Sequence, residues 1–152
     1  MKVAVAADHR GYELKEHVKR WLAAHGHEVT DFGTDSTKSV DYPDYGFAAS
    51  EAVAGGKADA AVLCCNTGIG MSIAANKVPG IRAALVADPE FAATSRSHNN
   101  ANVLCLAGER TSGAGADAIL EAWFSTEFQG GRHARRLGKI ADKERPKNRD
   151  RH

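Results

Sequence analysis

Ala60-Ala61-Val62-Leu63-Cys64-Cys65-Asn66-Thr67-Gly68-Ile69-Gly70 is an apolar run that breaks straight into a glycine turn. Six consecutive apolar side chains, without polar alternation, belong to a central parallel strand buried on both faces. The turn leads at once into a helix predicted over Met71–Lys77 and closed by Pro79-Gly80. The same rhythm extends in both directions. Upstream, residues 2–7 and Glu28–Phe32 read as strands. Between them Leu14, Val18, Trp21 and Leu22 mark one face of a helix over Tyr12–His25, with Gly26 as its stop. A second helix is predicted over about 44–54, before Gly55-Gly56. Downstream come a strand over Ile81–Ala87, a helix over Pro89–Ser97 and a strand over Val103–Leu106, then helices over about 115–127 and 132–143. Five strands separated by helices, with no hairpin signal, predict a doubly wound α/β sandwich around a parallel sheet. Residues 1–142 read as one domain, and 143–152 as a basic, flexible tail.

The whole-chain figures exclude several classes of function. The 152 residues carry 20 Lys plus Arg against 19 Asp plus Glu, a net charge of +1. A near-neutral chain does not bind nucleic acid or anionic membrane by bulk charge. The charge is unevenly placed, with +6 over residues 130–152 and −5 over the remainder. No apolar run approaches the ~18 residues of a membrane span. The short run at Val3–Ala7 meets Asp8, His9 and Arg10 and reads as a buried strand, not a signal peptide. Cys64, Cys65 and Cys105 are an odd set with two adjacent members, which is no disulfide framework and points to a reducing, cytoplasmic setting.

In open α/β sheets, ligands bind beyond the carboxyl ends of the strands. That rule selects Asp8-His9-Arg10-Gly11, Cys65 to Gly70, Asp88, and Ala107-Gly108-Glu109-Arg110. The turn at 65–70 aims backbone amides at one point, beside a helix N-terminus that favours an anion. It is not a dinucleotide loop, because position 73 is Ile where a third glycine is required. No Walker-type loop occurs, and a cysteine phosphatase would need an arginine where Gly70 and Met71 stand. What remains is a cysteine at the mouth of an anion-binding turn, where the helix N-terminus is expected to lower a thiol from its usual pKa of about 8.5. Strand alternation allows only one of Cys64 and Cys65 to face the crevice, and two small buried hydrophobes are the simpler alternative.

The seven histidines show no ligand spacing, so no metal site is expected. His17, His25 and His27 read as solvated, whereas His9 and His98 are placed where element ends are expected to meet the crevice. Ser97-His98-Asn99-Asn100 is a polar cluster suited to proton transfer, or simply a helix-ending turn. Arg132 and Arg136, one helical turn apart behind Gly130-Gly131, form a natural clamp for a phosphate dianion, unless they are only a solvated basic face.

Several segments together resemble the ribose-5-phosphate isomerase B family. They are Asp8-His9-Arg10-Gly11-Tyr12-Glu13-Leu14-Lys15, Asp41-Tyr42-Pro43-Asp44-Tyr45, Cys65 through Lys77, Ser97 through Leu104, and Gly130-Gly131-Arg132-His133. The resemblance covers about residues 1–142, in order and in spacing. It implies a Rossmann-like three-layer α/β/α sandwich with a five-stranded parallel sheet. It also implies a homodimer with active sites between subunits, often paired into tetramers, that uses no metal or cofactor. The implied reaction interconverts an aldose phosphate and a ketose phosphate through a cis-enediolate. Ribose 5-phosphate and ribulose 5-phosphate are the leading pair, and relatives act on allose or galactose 6-phosphates or on tetrose phosphates. The family's tetrose enzymes lack a histidine at the position of His98, so its presence favours a cyclic substrate.

By the same resemblance Cys65 is the base between C1 and C2, with Thr67 also catalytic. The amides of Asn66, Thr67, Gly68, Ile69 and Gly70 hold the enediolate oxygen. His98, with Asp8, opens the sugar ring, while Asn99 and Tyr42 touch hydroxyls. His9, Arg110, Arg132 and Arg136 bind the phosphate. Two departures stand out: Asn66 replaces a common glycine, and Cys105–Glu109 is one residue longer than the family pattern.

Overall fold

In the computed structural model, which describes residues 1–146, five parallel strands lie in the order β2-β1-β3-β5-β4. They are β1 (Lys2–Ala7), β2 (Glu28–Asp31), β3 (Ala60–Cys65), β4 (Ala83–Leu85) and β5 (Val103–Ala107). The helices are α1 (Tyr12–Ala24), α2 (Tyr42–Ala54), α3 (Ile69–Asn76), α4 (Pro89–Ser97), α5 (Gly113–Ser125) and α6 (Arg132–Glu144). No described helix is long and apolar enough to cross a membrane.

Crossover handedness explains which helix covers which face. The steps β1→β2 and β4→β5 run one way along the sheet, while β2→β3 and β3→β4 run the other. Right-handed connections therefore put α1 and α4 on one face and α2 and α3 on the opposite face. Two cores result. One packs Val62 and Cys64 against Leu14, Val18 and Leu22 of α1 and Ile119, Leu120 and Trp123 of α5. The other packs Leu63, Cys65 and Cys105 against Ala49 and Ala52 of α2 and Met71 and Ala75 of α3.

The departures from the expected boundaries have local causes. Helix α2 begins at Tyr42, two residues early, because Asp41 is extended and Pro43 occupies the first turn, where a missing amide costs nothing. Helix α3 begins at Ile69 because the turn tightens sooner than its composition suggests. Strand β4 is only three residues long, since it pairs with β5 alone at the sheet edge. Helix α6 runs to Glu144, two residues past the expected domain end, and residues 147–152 of the proposed tail lie outside the described residues.

Helices α4 and α5 are capped as their sequences imply. Asp88 accepts the Phe91 amide at 2.9 Å, and Ser112 accepts the Gly115 amide at 3.0 Å. Helix α6 buries only His133 and leaves Ile140 55% exposed. It is tied to the body by the Gln129 amide donating to the Ser97 carbonyl (3.0 Å) and the Gly80 amide donating to Glu144 Oε2 (3.1 Å).

Candidate active site

The last residue of β3 separates three cysteines into two kinds. Cys64 and Cys105 are fully buried, one in each core, and burial pushes both thiols well above their ordinary range. Cys65 ends the strand on the α2/α3 side with 4% exposure, at the point where the backbone turns away. Strand alternation turns Cys64 to the opposite face, and only Cys65 stands at the carboxyl edge. Its backbone is clamped from β5, because the Gly108 amide donates to the Cys65 carbonyl (2.7 Å) and the Glu109 amide to the Asn66 carbonyl (3.1 Å).

Beyond Cys65 the chain forms an amide cradle. The Ile69 amide donates to Thr67 Oγ1 at 3.2 Å, which leaves the hydroxyl proton of Thr67 free to donate outward. The amides of Asn66, Thr67, Gly68 and Gly70 have no acceptor among the described residues. Gly68 sits at φ +77°, and a Cβ there would collide with Leu85 Cδ1 and meet the Leu106 carbonyl carbon at 3.1 Å. Both the backbone shape and the close approach to β5 therefore require glycine. We expect Gly68→Ala to destabilise the fold by about 1–3 kcal/mol through strain at this position. Denaturant unfolding would measure it, and an unchanged midpoint would show that the turn is not held this tightly. Asn66 needs no left-handed backbone, since among described non-glycine residues only Asn100 has positive φ. Gly70 lies under the ring of Tyr42, whose Cζ would be 2.6 Å from an added Cβ, so α2 delivers Tyr42 onto the turn.

The β1 end completes this group. Ala7 is paired with Cys64, so Asp8 is level with Cys65 across the sheet. Asp8 Oδ1 accepts the amides of Arg10 (2.9 Å) and Gly11 (3.0 Å), fixing the loop into α1. His9 Nδ1 accepts the Val40 amide at 3.2 Å. That bond assigns the ring proton to Nε2, which becomes a donor. A crevice of about 380 Å³ runs between His9, Arg10, Thr37 and Asn66. Arg110 stands at the rim, its side chain 82% exposed and 3.7 Å from Glu109. With Thr67 and Ile69 it borders a second cavity of about 320 Å³.

His98, Asn99, Arg132 and Arg136 do not join this group within one chain. Sequence placed His98 at the same crevice as Cys65, and the topology corrects that. His98 is the C-cap of α4 and precedes β5, so it lies at the amino end of the sheet. Cys65 is level with Ala107 and Ala61 with Val103, which separates the two ends by four residue steps, or roughly 13 Å. His98 belongs to a basic cluster instead. Its ring stacks on His133 with centroids 4.2 Å apart and an 11° tilt, beside the exposed Arg132 and Arg136. Burial, then the charges of His98, Arg132 and Arg136, push His133 below the ordinary imidazole range. The motif containing His133 was legible, but its stacking role was not, because only the fold brings residues 98 and 133 together.

The family model for ribose/galactose isomerases matches residues 3–140. Ribose-5-phosphate isomerase B of Escherichia coli is 43% identical, over 97% of this chain and 99% of its own. Among solved structures, ribose-5-phosphate isomerase B of Clostridium thermocellum is similar at TM-score 0.94 and 49% identity, covering 95% of this chain and 97% of that one. The enzyme of Mycoplasma genitalium, solved with bound ribulose 5-phosphate, is similar at TM-score 0.89 and 37% identity, covering 95% and 97%.

Proposed function

The chain belongs to the ribose/galactose isomerase family, and we propose that it interconverts ribose 5-phosphate and ribulose 5-phosphate. The observation that carries this reading is the cradle of amides at Asn66, Thr67, Gly68 and Gly70, without acceptors among the described residues, opening beside Cys65, the one cysteine at the carboxyl edge. Isomerisation removes a proton from the carbon next to a carbonyl and returns it to the neighbouring carbon. The charge that develops on oxygen is what free amides and the Thr67 hydroxyl are placed to receive, and losing one such donor typically costs about 3–4 kcal/mol. In this reading Cys65 is the base that moves the proton between C2 and C1. Bond order shifts within the sugar, so the step is redox-neutral and calls for no external electron acceptor.

Ring opening needs an acid and a base at the furanose oxygens, the role we assign to His98 with Asp8. Tyr42 and Asn99 meet sugar hydroxyls. The Nε2 proton of His9, with Arg110, Arg132 and Arg136, meets the phosphate.

His98 and the two arginines lie at the opposite end of the sheet from Cys65, so the complete site in this proposal is built across a homodimer. The face beside the turn suits that arrangement, because it exposes Phe47 of α2, Ile69 and Ile73 of α3, and Leu85 of β4. A reactive thiol with no disulfide partner suits a reducing, cytoplasmic setting.

A kinetic comparison tests the substrate. With ribose 5-phosphate, allose 6-phosphate, galactose 6-phosphate and erythrose 4-phosphate offered in parallel, kcat/KM is expected to be highest for the pentose. A higher value on a hexose phosphate moves the assignment to that sugar. Binding of all four without turnover makes the protein a sugar-phosphate-binding module.

A further inference from the structure

Helix α1 buries a lysine where its apolar face would accept an aliphatic residue. Lys15 is 0% exposed. Its Nζ donates to both carboxylate oxygens of Asp31 at 2.8 Å and to the Thr34 carbonyl at 2.5 Å. Glu16 lies 3.6 Å away and the Tyr12 ring centroid 5.4 Å away. Removing an ammonium from water is costly, and a well-packed hydrophobic residue of similar volume is often as stable or more so. A purely structural reading therefore leaves the charge unexplained.

The partners of Lys15 lie at the start of one loop. The Gly33 amide donates to Asp31 Oδ1 at 2.8 Å, and Lys19 donates to Oδ2 at 2.8 Å from outside. Gly33 and Thr34 exchange backbone hydrogen bonds with Ala7, each at 2.8 Å. From Thr34 the chain runs over the crevice to Val40, whose amide donates to His9 Nδ1. Among the described residues, positions 35–39 make one hydrogen bond, the Lys38 amide to Ser36 Oγ, and none to the body of the fold. The loop is thus held at its start by the Ala7 backbone and by Lys15, the one side chain among the described residues that bonds the Thr34 carbonyl, and at its end by His9.

We propose that Lys15 is a positioning residue for the substrate phosphate, fixing the start of the 34–40 loop so that its Val40 amide holds the His9 ring with Nε2 as the donor. This rests on the reading that His9 meets the phosphate. Lys15 touches no substrate. Its effect is carried by the Thr34 carbonyl and the loop, and so falls on anion affinity rather than on proton transfer.

The test compares Lys15→Met, which keeps the length of the side chain, with Val40→Pro, which removes one amide proton at the far end of the loop. Each is expected to raise KM for ribose 5-phosphate, and the inhibition constant of inorganic phosphate, by about tenfold, with kcat within about twofold. Because both act on one route, the double variant should be no worse than about either single one. Nitrogen-15 spectra should show His9 losing its single Nε2–H form in both variants. The proposal is overturned if folded Lys15→Met keeps wild-type KM, if kcat falls instead, or if Val40→Pro keeps full phosphate affinity. Should Lys15→Met fail to fold, Val40→Pro decides the matter alone. If the wild-type chain does not turn over ribose 5-phosphate, the functional reading fails, while phosphate titration and the His9 spectra still decide the role of Lys15.

Discussion

Replacing Cys65 by alanine is expected to lower kcat for ribose 5-phosphate isomerisation by at least about 10²–10⁴-fold, the usual contribution of a positioned general base. The loss should appear in kcat with KM changed little, because the thiol acts on a carbon-bound proton and not on the phosphate. Stability should fall by no more than about 1–2 kcal/mol, since a single sulfur is removed from a residue that is 4% exposed and packed in the α2/α3 core. The neighbouring thiols cannot substitute. Cys64 faces the opposite core, and burial holds the thiols of both Cys64 and Cys105 in their neutral form at physiological pH. Cys64→Ala and Cys105→Ala should consequently keep the wild-type rate in any variant that folds. Wild-type turnover in Cys65→Ala would remove Cys65 from the reaction. Equal losses in all three variants would mean that packing, not chemistry, had been measured.

The legible part of this fold was the part written locally. Apolar runs marked β1, β3 and β5, because a parallel strand covered on both faces has no polar positions to confuse the pattern, whereas β2, the edge strand Glu28-Val29-Thr30-Asp31, carries no such run. The turn at Gly68 was legible for a similar reason, since the φ there excludes other residues. Strand order was not. Strand β5 is inserted between β3 and β4, and nothing within Val103–Ala107 names its neighbours. The same lack of long-range information misplaced His98, which sequence put at the crevice with Cys65. In a parallel sheet a residue between a helix and the next strand belongs at the amino end, and applying that rule separates the two residues. Lys15 was beyond reach altogether. It sits among Leu14 and Val18 as an ordinary helical lysine, and only its encounter with Asp31 and Thr34 makes it a buried anchor.

The separation of Cys65 from His98 leads to the second large effect, measured by mixing two inactive variants. Cys65→Ala and His98→Asn should each be inactive alone, the first lacking the base and the second the group that opens the ring. If each site takes its cysteine from one subunit and its histidine from the other, a mixed dimer contains one site with both residues intact and one with neither. Random exchange of equal amounts makes half of the dimers mixed, with one of two sites working, so about a quarter of the wild-type rate should return on mixing. If both residues acted within one chain, every site in the mixed dimer would still lack one of them, and no activity would return. The experiment distinguishes the arrangements by the presence of activity rather than by its degree. Unfolding and refolding the two variants together ensures exchange, and refolding each separately before mixing supplies the baseline. A preformed open-chain substrate adds a second check, because His98→Asn alone should recover activity on it if ring opening is the function of that residue. No recovery on mixing despite demonstrated exchange would place the whole reaction within one subunit, and His98, four strand steps away at the amino end, would lose its role in catalysis.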